Sequence, residues 1–315
     1  MSARLPVILD TDPGIDDAMA MAFLAADPRV ELAAITTVFG NADVATTTRN
    51  ALYLARRLGI SAPVHAGADQ PLTGRRGPGA THVHGLDALG GLGLAEGLSA
   101  PAADPAAHIH MVRTIHRYAG DIRLLAIGPL TNLAQALRLD PSIAAKVGEV
   151  VVMGGAFGGA GRHGNVTPFA EANIHNDPVA AAEVFAADWP VRIVGLDVTL
   201  DCVLTTEQAR RLGAAGPVGQ MLWDISRDYE ALYRHLDGLD GCALHDVAAA
   251  ICLVEPHLFG YEAAGIAVTL EGARRGNTRA TQTGPQHRIC RTVQASGVVG
   301  TYLRTLTGTT ATLIR

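Results

Sequence analysis

Hydrophobic positions fall in blocks along the chain: short continuous apolar runs, then stretches with apolar residues every three or four positions. "PVILD" is a run of the first kind and predicts a buried strand. A helix from about Asp16 to Ala26 follows it and is ended by Asp27-Pro28. "VELAAITTVF" predicts the next strand, with Gly40-Asn41 at its end, and "ATTTRNALYLARRLGI" a helix with a glycine stop. "PVHAG" is a further short strand. The order resumes with strand "IRLLAIG", helix "LTNLAQALRL", strand "EVVVMGG", helix "DPVAAAEVFAA" and strand "VRIVGLD". This alternation predicts an α/β fold with a doubly wound, mostly parallel sheet and helices on both faces.

From about residue 204 the balance shifts to helix, through "PVGQMLWDISRDYEALYRHL" and "HDVAAAICLV". "GIAVTL" and "RRGNTRATQTG" predict a small antiparallel addition near the C-terminus. No repeat or linker interrupts the pattern, so residues 1–315 are read as one domain. Two segments carry neither period: "GRRGPGATHVHGLDALGGLG" and "FGGAGRHGNVTPFAEANIHN". Connections that long are usually functional or disordered.

Composition narrows the function. The chain is 48% hydrophobic but only 17% charged, against about 25% in an average globular protein. That shortfall points to extra buried surface such as a subunit interface. A formal net charge of −5 with no Lys/Arg cluster argues against a nucleic-acid partner. No uncharged apolar segment reaches the roughly 18 residues of a membrane span, and "MSARLPVILD" has no long signal core. Cys202, Cys242, Cys252 and Cys290 show no CxxC spacing and read as buried small hydrophobes in a reduced compartment. A cytoplasmic soluble enzyme is expected.

In open parallel sheets, ligands sit beyond the carboxyl ends of the strands. The polar clusters lie there: Asp10, Asp12, Asp16 and Asp17 after the first strand, Asn41 after the second, Thr131 after "LLAIG", and Met153-Gly154 at the end of "VVVM". Carboxylates this crowded are stable only where a cation offsets them. All-oxygen ligands favour a hard ion, and Ca²⁺ tolerates many carboxylates at irregular geometry better than Mg²⁺. Asp16 and Asp17 open a helix, where the macrodipole favours negative charge. As neighbours they point about 100° apart, so one is expected at the ion and the other at substrate. A helix cap with a solvated acidic turn is the alternative for this stretch alone.

"DTDPGIDDA", "GNADVATTTRNA", "GPLTNLA", "VVMGGAF", "GNVTPFAEANIHNDP" and "DGCALHDVAAA" together resemble the inosine-uridine-type nucleoside hydrolases, in the family's order and over nearly the whole chain. The resemblance implies a Ca²⁺-dependent enzyme that splits ribonucleosides into ribose and free base, working as a homodimer or homotetramer. It implies that Asp12, Asp17, Asp246 and the main-chain carbonyl of Thr131 bind the ion, with Asp10 supporting them. Asp16, Asn165, Glu171 and Asn173 would hold ribose hydroxyls, with Asn41 and Met153 lining the floor. His245 would face the departing base, and His84 matches a histidine on a loop that closes over substrate.

The chemistry fits these roles. Glycosidic cleavage passes through an oxocarbenium-like state needing an oxygen nucleophile on one face and help for the leaving group on the other. Asp12 is placed to deprotonate a calcium-activated water, and His245 to protonate the base, since an unperturbed histidine titrates near 6.5. Ala172 departs from the family, which commonly has a bulky aromatic there. His175, or an aromatic of the "WDISRDYEALY" stretch, could take its place. Trp223 reads as core, while Tyr229 and Tyr233 could be core or base-stacking wall. His108, His110 and His116 read as solvated helix surface, and His163 as a loop residue. A ribose- or nucleoside-binding protein without turnover is a second reading. A Mg²⁺ phosphohydrolase is a third, but Pro-Gly-Ile-Asp-Asp follows Asp-x-Asp where such enzymes place Thr or Ser.

Overall fold

The first strand, β1 (Leu5–Thr11), shows what a continuous apolar run accomplishes. Val7 and Leu9 face one hydrophobic cluster and Ile8 faces the other, so a period of two serves cores on both sides of the sheet. The structure is a computed structural model and describes residues 4–98 and 106–312.

From β1 the chain passes through α1 (Ile15–Ala26), β2 (Val30–Thr37), α2 (Val44–Leu58), β3 (Val64–Ala66) and a single turn, α3 (Thr81–His84). It continues through α4 (Ala107–Arg117), β4 (Arg123–Ala126), α5 (Thr131–Leu139), β5 (Glu149–Met153), α6 (Ala172–Asn176), α7 (Pro178–Ala186) and β6 (Val191–Val194). Then come α8 (Leu196–Thr199), β7 (Val203–Thr205), α9 (Thr206–Ala214), α10 (Pro217–Ile225), α11 (Arg227–Asp237), β8 (Gly241–Ala243) and α12 (His245–Val254). β9 (Phe259–Val268), β10 (Thr278–Thr281), β11 (His287–Val293) and α13 (Ala295–Thr312) complete the described chain.

The main sheet has nine strands in the order β10-β9-β11-β6-β5-β4-β1-β2-β3. β1 to β6 pair in parallel, as the alternation of strand and helix predicted. The antiparallel addition is part of this sheet rather than beside it. β9 pairs antiparallel with both β10 and β11, and β11 joins β6 in parallel. A second, two-stranded sheet of β7 and β8 lies outside the expected pattern, because three-residue strands leave no readable period.

The helix expected across residues 217–236 is divided at Ser226. Its buried hydroxyl donates to Trp223 O at 3.0 Å, and such local bonds compete with helix continuation. Among the described residues, no helix is long and apolar enough to cross a membrane. All four cysteines are buried and free.

Candidate active site

After β1 the chain builds outward to β2 and β3, then returns to add β4, β5 and β6 on the other side. Where strand order reverses, neighbouring crossovers leave on opposite faces and open a crevice at the carboxyl ends. Asp12 follows β1 at this point. A Cβ at Gly40, just past β2, would lie 2.0 Å from Asp12 Oδ2, and one at Gly128, just past β4, would lie 2.5 Å from Oδ1. Two side-chain-free strand ends therefore make room for this carboxylate.

Asp12 Oδ2 accepts the Asn41 amide at 2.8 Å, whereas its buried Oδ1 has no hydrogen-bond partner. Asp17 is held from four directions. Its Oδ1 accepts from the Thr11 hydroxyl and the Asp12 amide, its Oδ2 from the Gly14 amide and Asn41 Nδ2. Asp10 lies behind, with Oδ1 accepting from Thr36 at 2.6 Å and Asn132 at 2.8 Å. Its Oδ2 and Asp16 Oδ1 are buried without partners.

Asp246 arrives from the first turn of α12, which packs against α1. Among the described residues, Asp16, Asp17 and Asp246 form a group with ligand atoms within 4.8 Å of one another. Asp16 and Asp17 thus both reach this group, whereas Asp12, also expected at the ion, lies outside it.

Burial raises Asp10, Asp12, Asp16, Asp17 and Asp246 alike. Burial, reinforced by Asp17, pushes Asp12 well above the usual range. Burial carries Asp16 up to about 6, and with the Asp16 charge carries Asp17 up to about 6 as well. Burial, then Asp16, Asp17 and Asp12, raises Asp246 strongly, while burial alone brings Asp10 to about 7. Buried, all-oxygen and partly unsatisfied, this donor set could hold a hard metal cation. The Thr131 hydroxyl does not cap its helix. It donates to Asp177 Oδ2 at 2.7 Å, and Asp177 caps α7.

The cleft over this cluster is lined by Asp16, Asn41, Met153, Glu171 and Asn173 together with His84, Tyr229, Tyr233 and His245. Glu171 caps α6: its carboxylate accepts the amides of Gly155, Asn173 and Ile174 at 2.8–3.1 Å. Asn173 Nδ2 donates to Ile127 O at 2.9 Å and Met153 O at 3.2 Å, fastening α6 to the ends of two strands. Asn165 is exposed at the cleft edge, where its Oδ1 accepts the Ala172 amide at 3.0 Å.

His84 Nδ1 accepts the Ile15 amide at 3.2 Å and lies 3.9 Å from Asp16 Oδ1, and its ring lies 5.6 Å from that of Tyr229. His245 is gripped at both nitrogens, with the Thr199 hydroxyl 2.7 Å from Nδ1 and the Tyr233 hydroxyl against Nε2. Burial lowers His245 to about 4, so its ring is neutral at pH 7 and not the partly charged group that an unperturbed histidine would be.

Tyr229 and Tyr233, left open by the sequence, both face the cleft. Their i, i+4 spacing puts them on one helix face, and their rings meet edge to face at 4.9 Å. Thr199 carried no sequence signal. Trp223 is half-buried under the Arg227 guanidinium, 3.2 Å above its ring. His116 is exposed as expected, but His110 stacks on His65 with ring centroids 3.7 Å apart.

A carboxylate cluster, a polar floor and an imidazole–phenol pair thus share one cleft, and comparison with known proteins supplies the class of enzyme. The inosine-uridine preferring nucleoside hydrolase profile matches residues 7–299, and the chain belongs to that family. It is 40% identical over 277 residues to probable uridine nucleosidase 1 of Oryza sativa subsp. japonica, covering 87% of this chain and 84% of that protein. It is 39% identical over 251 residues to pyrimidine-specific ribonucleoside hydrolase RihB of Escherichia coli O9:H4 (strain HS), covering 79% and 78%. The fold matches the plant nucleoside hydrolase PpNRh1 with a TM-score of 0.91 at 33% identity, over 97% of this chain and 99% of that one. It matches the purine-preferring ribonucleoside hydrolase of Gardnerella vaginalis with a TM-score of 0.88 at 29% identity, over 97% and 99%. The protein is an enzyme that hydrolyses ribonucleosides, and the binding-protein and phosphohydrolase readings fall away.

Proposed function

We propose that this enzyme hydrolyses pyrimidine ribonucleosides, uridine foremost, using Ca²⁺ held by Asp12, Asp17, Asp246 and the Thr131 carbonyl. The observation that carries the reading is the meeting of two unlike sets of groups in one cleft: buried carboxylate oxygens without hydrogen-bond partners, and a neutral imidazole gripped by two hydroxyls. The pyrimidine preference rests on the relatives named for uridine and pyrimidines at about 40% identity, against 29% for the purine-preferring structure.

When bound, the ion would offset the carboxylate charge and supply the electrostatic pull that orients a water and acidifies it. Asp12 accepts the water's proton on Oδ1, the oxygen its neighbours leave free. Asp16, Asn165, Glu171 and Asn173 hold the ribose hydroxyls over a floor of Asn41 and Met153. Anionic groups beneath the sugar stabilise positive charge growing at the anomeric carbon.

His245 and Tyr233 assist the departing base by hydrogen bonding rather than through a pre-formed imidazolium. With Thr199 donating to Nδ1, the Nε2 proton is held by the Tyr233 oxygen, whose own hydroxyl can then donate a hydrogen bond to the base, and the base nitrogen takes its proton from solvent water. His84 lies against Tyr229 as part of the same cleft lining. Low charge content and four buried free thiols support a cytoplasmic homodimer or homotetramer.

The deciding experiment is to incubate purified protein with uridine, cytidine, inosine, adenosine and guanosine separately and to measure free base and reducing sugar. Release from uridine at the highest kcat/KM is expected. A purine nucleoside cleaved fastest would overturn the preference, and no release from any of the five would overturn the assignment.

A further inference from the structure

Asn50 lies on the buried face of α2 and is not among the residues lining the cleft, yet it is bonded to both loops that meet there. Its Nδ2 donates to Pro13 O at 3.1 Å and to Asp87 O at 2.8 Å. Pro13 belongs to the turn that joins Asp12 to Asp16, and Asp87 stands three residues after His84. A side-chain amide has two N–H donors, and here each goes to the main chain of a different loop.

The two ends of this bridge are not equally secure. The Pro13 turn is held independently, because the Asp17 carboxylate accepts the Asp12 and Gly14 amides. α2 itself is closed at both ends, by Asp43 accepting the Thr46 amide and by Gly59 at φ 68. The Asp87 segment is a run of turns instead. The Asp87 carboxylate gathers the amides of Leu89, Gly91 and Gly93 at 2.7–2.8 Å, and Ala88 among them is held at φ 62. A residue other than glycine keeps that conformation only where its surroundings impose it. Asn50 fastens this folded segment to the rigid turn. At the head of the segment, His84 Nδ1 accepts the Ile15 amide, so the neutral ring carries its proton on Nε2. That leaves a donor on a ring that lines the cleft.

We propose that Asn50 is a positioning residue for nucleoside hydrolysis: by joining the Pro13 and Asp87 carbonyls it registers the His84 loop against the carboxylate turn and so sets where His84 meets substrate. The inference rests on the reading of His84 as a residue that touches the bound nucleoside.

The test measures kcat and KM, on the nucleoside that wild type cleaves fastest, in wild type, Asn50→Leu, His84→Ala and the double variant. Leucine roughly matches asparagine in shape and removes both donors. Asn50→Leu should lower kcat/KM by about tenfold, the weight of one neutral hydrogen bond. The loss should appear as a higher KM, because such a bond is made to bound substrate as well as to the transition state. In the His84→Ala background, Asn50→Leu should change kcat/KM by less than about twofold, the non-additivity of residues that act through one another. Asp87→Asn sets an N–H donor against the amides that the carboxylate gathers, at a half-buried position, and should repeat this pattern where Asn50→Leu does not fold. Wild-type kinetics in Asn50→Leu, a loss as large without His84 as with it, or a loss confined to kcat would overturn the proposal. Wild-type kinetics in His84→Ala would instead overturn the reading of His84 on which it rests.

Discussion

The hydroxyl of Tyr233 rests on Nε2 of His245 while Thr199 holds Nδ1 from the other side, so the imidazole has no free nitrogen to offer the base directly. Tyr233→Phe should therefore lose nearly as much activity on uridine as His245→Ala. General acid catalysis contributes typically about 10²–10⁴-fold. Nitrophenolate leaves well without a proton, so both variants should lose far less on nitrophenyl riboside. Asp12→Ala should damage both substrates alike, because it removes the base for the attacking water. Parallel kinetics on the two substrates check this. Equal losses on both for His245→Ala would mean that the residue merely supports Asp246.

Gly128 and Gly40 make a second, unlike test, because neither carries a functional group. A methyl at Gly128 would meet Asp12 Oδ1 at 2.5 Å, closer than a carbon and an oxygen approach. Gly128→Ala should displace the carboxylate and lower kcat by at least about 10²-fold, the loss expected for a misplacement of about 1 Å. The melting temperature should fall only modestly, since the rest of the strand end is unchanged. Wild-type kcat in a folded Gly128→Ala protein would show that Asp12 is not the residue that needs placing.

Legibility followed range along the chain. The strand ends and their carboxylates could be read because one apolar run and the polar residues after it are contiguous, as with β1 and Asp10 to Asp17. Asp246 was found through its motif. The Thr199–His245–Tyr233 chain could not be read, because its members come from α8, α12 and α11 and meet only through packing. β11 was missed for a related reason: "HRICRTV" intersperses charge, with Arg288 exposed and Arg291 half-buried, so no clean period shows, and its parallel pairing with β6 crosses some hundred residues. The depressed titration of His245 was equally hidden, since burial, its first cause, belongs to the fold and not to the residue type.

Asp16 gives a prediction about the sugar. Its Oδ1 is buried without a hydrogen-bond partner, His84 Nδ1 being 3.9 Å away, so a water or a hydroxyl can satisfy it. A site built to bond a hydroxyl rejects the analogue lacking it by as much as about 10⁴–10⁵-fold. 2′-Deoxyuridine should accordingly be a very poor substrate, and Asp16→Ala should narrow the gap by damaging uridine far more than deoxyuridine. Steady-state kinetics on both nucleosides measure this. A similar kcat/KM for the two in wild type would remove Asp16 from the sugar.

The carboxylate cluster ties metal, pH and stability together. Without an ion, Asp16 and Asp17 titrate near 6 and Asp10 near 7, all above the unfolded value of about 3.9. A folded-state pKa raised in this way gives stability that is full below the unfolded pKa and lost as pH rises through the folded one. The metal-free enzyme thus accumulates buried like charge between about pH 5 and 7, and Ca²⁺ should relieve it. Buried His84 and His245, both lowered to about 4, pull the other way with pH, but they do so with and without the ion. The difference between the two melting curves therefore isolates the carboxylates. Calcium should raise the melting temperature strongly at pH 7 and progressively less toward pH 5, as protons compete for the same oxygens. Asp17→Asn should shrink the calcium effect at every pH and abolish most turnover. Thermal denaturation with calcium or chelator across this range provides the measurement. A calcium effect that is absent, or that grows as pH falls, would exclude this cluster as the ion's site.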